Sequence, residues 1–138
     1  MGFKMICLDS TVLIDFLKGD LKAQNILKKY HPQGIFITEI VIFEVSKGII
    51  FSSLNEKIKK DEYDNFLNFI SSFNILPCLG QFSLEAAKIS SLLMKKGKPI
   101  DDNDCLTIAI MKKNNIKKII TRNVKHFSNI ENIEIINY

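Results

Sequence analysis

Three acidic residues stand at points from which a parallel sheet and its helices could bring them into one cleft. Asp9 ends a short apolar run that predicts a buried strand. Glu44 lies among apolar residues at helical spacing, where solvation alone does not explain an acid. Asp104 closes an acidic stretch, residues 101–104, that opens another predicted helix. The sequence therefore offers three carboxylates on three separate elements for one candidate site.

Carboxylates that converge repel one another unless some are protonated or a cation lies among them. Hard oxygen ligands without His or Cys favour Mg²⁺, with Mn²⁺ able to substitute, over Zn²⁺. A cation held in this way orients a phosphodiester, offsets its charge and helps to ionise an attacking water. The chemistry that these residues would support is hydrolysis of a phosphate ester without a protein nucleophile.

Each candidate also has a structural explanation, and spacing alone does not decide between the two. Asp9 could cap a helix, and Glu44 could reach solvent from the edge of its apolar face. The acids within residues 101–104 suit the first turn of a helix through capping and the macrodipole. Asn123 could end a strand in an Asx turn, and His126 is interpreted as a packing residue.

Apolar runs alternate with amphipathic segments, which predicts an α/β fold with a parallel sheet. The predicted strands comprise residues 3–8, 35–37, 74–78, 117–121 and 130–136. The predicted helices comprise residues 12–17, 21–30, 39–52, a segment that begins within 55–64 and ends near 72, residues 84–95 and 101–113, and a short turn or helical piece at 122–127. We expect residues 1–138 to form a single three-layer α/β/α domain with four to five strands.

Boundary residues add detail to these elements. Thr38 is the predicted N-cap of the helix at 39–52, Ser10 or Thr11 that of the first helix, and Ser83 that of the helix at 84–95. Pro77 predicts an edge position for the third strand. In such sheets, sites form outside the carboxyl ends of the strands, so the candidate acids can reach one edge of one sheet.

Composition narrows the class of protein and its compartment. The net charge of +4 is compatible with a nucleic-acid partner but is too mild to require one. Cys7, Cys78 and Cys105 form no CxxC pair, which favours reduced thiols and a cytoplasmic protein. No run approaches the roughly 20 apolar residues of a membrane span, and the N-terminus lacks a signal peptide's cleavage pattern.

Four segments carry a resemblance to a known family. They are LDSTVLIDFLKG at residues 8–19, TEIVIFEVSKG at 38–48, GKPIDDNDCLTIAI at 97–110 and ITRNVKHF at 120–127. Each is weak alone, but all four occur in order on a chain of this length. The sequence resembles the PIN-domain family and, within it, the VapC-type toxins of toxin–antitoxin pairs. The resemblance implies a PIN-like fold around a parallel sheet.

The resemblance also implies roles for individual residues. Asp9, Glu44 and Asp104 match the family's principal acids, with Asp9 and Asp104 as the expected direct Mg²⁺ ligands. Asp102 corresponds to a frequent extra acid, whereas Asp101 is interpreted as a helix-end residue. These expectations place four acids in or beside the site.

Residues around the acids have implied supporting roles. Thr11 and Thr121 match hydroxyl supports of the metal ligands, and Arg122 is expected to contact substrate phosphates. Asn123 stands where many relatives have a fourth Asp, which removes one negative charge and is expected to weaken a second metal site. Asp15 matches the opening motif but lies six residues after Asp9, so it is interpreted as structural.

For function, the resemblance implies a Mg²⁺-dependent endoribonuclease that acts as a homodimer and is blocked by a cognate antitoxin protein. Exposed apolar residues that such partners require could come from the helix at 39–52, namely from Ile40, Phe43, Ile50 and Phe51. A housekeeping PIN nuclease of RNA processing without an antitoxin is an alternative. So is a degenerate PIN domain that binds RNA or protein without catalysis, although the intact acids argue against it.

A HAD-like phosphatase is a rival of another enzyme class, because it also places an Asp after its first strand. That chemistry usually needs a second Asp two positions later, where this chain has Thr11. Glu44 would have no role in such an enzyme. The sequence therefore favours the nuclease.

Overall fold

The computed structural model describes residues 5–31, 34–52 and 55–138. Its five strands are β1 (Met5–Leu8), β2 (Gly34–Thr38), β3 (Asn74–Leu76), β4 (Lys118–Ile120) and β5 (Glu134–Ile136). Its seven helices are α1 (Ser10–Leu17), α2 (Leu21–Tyr30), α3 (Glu39–Phe51), α4 (Glu56–Ile70), α5 (Gly80–Lys95), α6 (Asp102–Lys113) and α7 (Val124–Phe127). Among the described residues, no helix is both long enough and apolar enough to cross a bilayer.

The strands form one all-parallel sheet in the order β3-β2-β1-β4-β5. Alternating side chains of β1, β2, β4 and β5 enter two separate cores. Ile6, Leu8, Ile35 and Ile37 pack beneath α1 to α4, whereas Cys7 packs on the opposite face beneath α5 to α7. The chain is thus a three-layer α/β/α structure, which confirms the predicted fold class and its parallel sheet.

Several predicted boundaries are confirmed. The Thr38 hydroxyl accepts a hydrogen bond from the Val41 N–H at 3.2 Å, so Thr38 caps α3. Strand β3 lies at an edge of the sheet, as Pro77 indicates. The first strand is described from Met5 only, so the predicted residues Phe3 and Lys4 lie outside the described part of the chain.

Other boundaries were predicted wrongly. Helix α1 begins at Ser10, so Asp9 rather than Ser10 or Thr11 occupies the N-cap position, and the Asp9 side chain makes no cap hydrogen bond. Helix α5 begins at Gly80, three residues before the predicted cap Ser83. By contrast, the helix predicted to begin within residues 55–64 does begin there, at Glu56, and Asn55 caps it through the Ile58 N–H. The last strand is shorter than predicted.

The ends of the two central strands form the edge from which the site is built. The Asp9 N–H donates to the carbonyl of Ile120 at 3.0 Å, which continues the β1–β4 pairing one step past the strand. On the other side of β1, the hydroxyls of Thr38 and Thr107 lie 3.3 Å apart and are both buried. This contact joins the start of α3 to α6. The fold therefore fixes α1, α3 and α6 relative to one another at one edge of the sheet.

Candidate metal centre

Three carboxylates from three elements meet at the carboxyl edge of the sheet. One oxygen from each of Asp9, Glu44 and Asp104 lies within 4.8 Å of the others. Asp9 follows β1, Glu44 lies in the second turn of α3, and Asp104 lies in the first turn of α6. The structure thus brings together the three acids that the sequence singled out.

Asp9 is held by two hydroxyls. The Thr121 hydroxyl, just after β4, donates to Asp9 Oδ2 at 2.7 Å, and the Thr11 hydroxyl donates to the same atom at 3.3 Å. Asp9 is only 2% exposed. Burial raises the pKa of its carboxyl, while the bond from Thr121 opposes that rise. Both threonines therefore lie where the sequence places hydroxyl supports.

Glu44 contrasts with Asp9 because its buried oxygen is unsatisfied. Among the described residues, Glu44 Oε1 is the buried side-chain oxygen or nitrogen without a hydrogen-bond partner. Burial raises the pKa of Glu44 to about 7, and the negative charges of Asp9 and Asp104 add to this effect. An ionised Glu44 would be costly here without a positive partner.

Asp104 has a histidine beside it. Nδ1 of His126, on α7, lies 2.7 Å from Asp104 Oδ2, within hydrogen-bond distance. Burial raises the pKa of Asp104 to about 6 and the charge of Asp9 adds to it, whereas the contact with His126 lowers it. The interpretation of His126 as a packing residue is therefore wrong. No local sequence pattern indicates this contact, because it joins residues that are 22 positions apart and depends on how α7 packs against α6.

Asp102 is expected beside the acid cluster and Asp101 at the helix end, but the structure places Asp101 beside Asp104. Asp101 offers a ligand atom within 4.8 Å of those of Asp104 and His126, and its side chain makes no cap hydrogen bond. Both residues are exposed, but Asp102 lines a groove between α5 and α6 with Cys105. The reason is helical spacing: residues three apart share a face, whereas residues two apart do not. Asp101, not Asp102, therefore extends the cluster around Asp104.

The segment after β4 contains the remaining predicted residues. The Asn123 N–H donates to the Thr121 hydroxyl at 2.9 Å, and no hydrogen bond of the Asn123 side chain is found in the described part of the chain. Arg122 is directed to Asp15, with Nη1 2.9 Å from Oδ2. Its guanidinium thus has a protein partner, although the side chain is 60% exposed. Asp15 is structural in the sense that it is buried and paired.

The donor set fits a hard divalent cation. All three central ligands are carboxylates, all three have a raised pKa, and repulsion among them contributes to the rise for Glu44 and Asp104. A cation among these oxygens would offset the repulsion and would give the buried Glu44 oxygen a partner. The oxygens of Asp9, Glu44 and Asp104 lie close enough together for one cation to contact them directly or through water.

Comparison with known proteins identifies the family. The model of the family described as PIN domain matches residues 6–132. Because the match covers most of the chain, the chain belongs to the PIN-domain family. A search of curated proteins by sequence found no significant match.

Solved structures share the fold along nearly the whole chain. VapBC2 from Rickettsia felis, bound to a DNA fragment from their promoter, is 22% identical with a TM-score of 0.81, over 97% of this chain and 98% of that chain. FitAcB from Neisseria gonorrhoeae is 22% identical with a TM-score of 0.84, over 96% of this chain and 97% of that chain. VapC20 from Mycobacterium tuberculosis is described as a sarcin-ricin loop cleaving toxin. It is 13% identical with a TM-score of 0.63, over 83% of this chain and 86% of that chain.

Proposed function

We propose that this chain is a Mg²⁺-dependent endoribonuclease, with Mn²⁺ able to substitute, and the toxin of a VapBC-type toxin–antitoxin pair. The observation that carries the nuclease proposal is the unpartnered buried Oε1 of Glu44, facing two further buried carboxylates. A cation among these oxygens would give Glu44 Oε1 a partner and would offset the repulsion between the carboxylates. Hydrolysis of RNA phosphodiesters is the chemistry that this acid set and the family membership favour together.

The chain's own residues divide the work of the reaction. When bound, the cation would offset phosphate charge and help to ionise an attacking water. Asp9 and Asp104 would hold it, with Asp9 oriented by Thr121 and Asp104 by His126. Glu44, with an oxygen within 4.8 Å of those of Asp9 and Asp104, would be the group that accepts a proton from that water.

The proposed substrate and partners follow from the comparisons and the surface. The shared fold with a protein described as cleaving the sarcin-ricin loop supports RNA as substrate, and the net charge of +4 is compatible with it. Structures described as VapBC or toxin–antitoxin complexes support an antitoxin partner. Helix α3 exposes Phe43, Ile50 and Phe51, which suits a protein partner such as an antitoxin or a second copy in a homodimer.

An RNA cleavage assay with one acid removed tests this proposal. We expect wild-type protein to cleave RNA with Mg²⁺ or Mn²⁺ and not with a chelator, and Asp104→Asn to lose this activity while it stays folded. Asp61→Asn, on the exposed side of α4, is the matched control and should cleave RNA at the wild-type rate. Full activity of Asp104→Asn, or cleavage that needs no metal, would refute the assigned chemistry.

A further inference from the structure

A buried carboxylate outside the acid cluster accepts two side-chain hydrogen bonds and forms an ion pair. Asp15, on α1, is 7% exposed. Arg122 Nη1 donates to Asp15 Oδ1 at 3.1 Å and lies 2.9 Å from Oδ2 in an ion pair. The Tyr138 hydroxyl, beyond β5, donates to Oδ2 at 2.7 Å. Asp15 therefore joins three parts of the chain that are far apart in sequence.

Helix α1 contacts Arg122 at two points. Thr11 and Asp15 are four residues apart, which places them on one face of the helix. The Thr11 hydroxyl accepts from the backbone N–H of Arg122 at 3.1 Å, while Asp15 accepts from its guanidinium. Both the main chain and the side chain of Arg122 are thus fixed against the same helix.

Arg122 directly follows the hydroxyl residue that supports Asp9. The Thr121 N–H donates to the carbonyl of Ile136 at 3.1 Å, and the Thr121 hydroxyl donates to Asp9 at 2.7 Å. Tyr138 lies two residues after Ile136. Asp15 is therefore connected to Thr121 in two ways. One connection runs through Arg122, the residue next to Thr121, and the other through Tyr138 and the nearby Ile136, which pairs with Thr121. A displacement of Arg122 would move the hydroxyl that orients Asp9.

We infer that Asp15, Arg122 and Tyr138 form a clamp that positions Thr121, and through it the carboxylate of Asp9. All three are positioning residues, because they act on Asp9 through Thr121 and the main chain. The catalytic consequence rests on the proposed function, whereas the positioning of residues 121–123 does not.

Variants that keep side-chain shape separate positioning from stability. Asp15→Asn removes the charge that holds Arg122, and Tyr138→Phe removes one hydroxyl. Asp20→Ala is the matched control, because Asp20 only caps α2 through the Ala23 N–H and its loss destabilises the same helical pair. All variants are compared at a temperature at which circular dichroism shows them fully folded.

Two measurements decide the inference. Without metal, we expect amide hydrogen exchange at residues 121–123 to rise about tenfold in Asp15→Asn, less in Tyr138→Phe and not in Asp20→Ala. With Mn²⁺ and RNA, we expect Asp15→Asn to bind Mn²⁺ more weakly and to show a kcat about tenfold lower.

Unchanged exchange at residues 121–123 in Asp15→Asn would overturn the inference, as would wild-type Mn²⁺ affinity and kcat despite a lower melting temperature. If wild-type protein neither binds Mn²⁺ nor cleaves RNA while the exchange result holds, the proposed function fails and the positioning of residues 121–123 stands.

Discussion

The two sides of the acid cluster differ in how they are supported. On the strand side, Asp9 accepts hydrogen bonds from Thr11 and Thr121, and Thr121 is itself held by the sheet. On the helix side, Glu44 has a buried oxygen with no partner in the described part of the chain. Asp9 is buried and hydrogen-bonded within the protein, whereas Glu44 is partly buried and its buried oxygen Oε1 has no such partner.

This difference indicates that Asp9 is held in position by the protein itself, whereas the position of Glu44 depends on whether a cation is bound. Burial raises the pKa of Asp9, but the hydrogen bonds from Thr121 and Thr11 oppose that rise and hold the carboxyl in position before any cation arrives. Glu44 has no such bond on Oε1 and is charged at neutral pH only in part, because its pKa is raised to about 7. Asp104 is intermediate in this respect: its pKa is raised, but its carboxyl has a contact with His126.

The largest effect is expected on the strand side. Asp9→Asn should lower metal-dependent RNA cleavage by more than about 100-fold, because it removes a direct ligand rather than a residue that supports one. Thr121 can still donate to the amide oxygen, so the fold should remain. Steady-state kinetics with Mn²⁺ measures the effect. A loss of less than tenfold would show that Asp9 is not a ligand.

Removal of the support for Asp9 should have the next largest effect. Thr121→Val keeps the side-chain shape but loses the 2.7 Å hydrogen bond, so we expect metal affinity or activity to fall about 10- to 100-fold. Thr121→Ser keeps the hydroxyl and should restore most of the activity. Equal behaviour of the Val and Ser variants would contradict the assigned support.

The helix side should contribute to the pH dependence of stability without metal, in addition to Asp9, whose pKa is also raised. Because the pKa values of Glu44 and Asp104 are raised to about 7 and about 6, the folded state binds protons more tightly than the unfolded chain. Their stabilising effect is complete at low pH and is lost as the pH rises through 6 to 7. With a chelator present, the free energy of unfolding should therefore fall by about 1–3 kcal/mol between pH 5 and pH 8.

Glu44→Gln tests which acid causes this fall. The variant should flatten the pH dependence and melt at a higher temperature than the wild type at pH 8 without metal. Thermal unfolding followed by circular dichroism measures both. If the stability of Glu44→Gln depends on pH as strongly as that of the wild type, the Glu44 carboxyl does not cause the fall in stability.

The smallest effect is expected at the start of α6. Asp101→Asn should lower metal-dependent activity a few-fold, since Asp101 lies next to Asp104 and His126, whereas Asp102→Asn should have the smaller effect. Parallel RNA cleavage assays of the two variants compare them. A larger loss in Asp102→Asn would restore the ranking that the family resemblance implies.

Sequence reasoning reached the fold and the three central acids because both depend on local patterns. Apolar runs that end in acids mark the strand ends, and Thr38 identifies the start of the helix that carries Glu44. It missed His126 because a contact over 22 residues depends on how α7 turns back over α6. The roles expected for Asp101 and Asp102 came from the family resemblance, whereas the grouping of Asp101 with Asp104 and His126 depends on how α6 and α7 pack.

Titration of Mn²⁺, followed by electron paramagnetic resonance at pH 7.5, tests the central claim most directly. The claim is that Asp9, Glu44 and Asp104 together hold a divalent cation. We expect saturable binding in the wild type and binding weakened by more than about tenfold in Asp104→Asn. Equal Mn²⁺ affinity in the two proteins would contradict the claim.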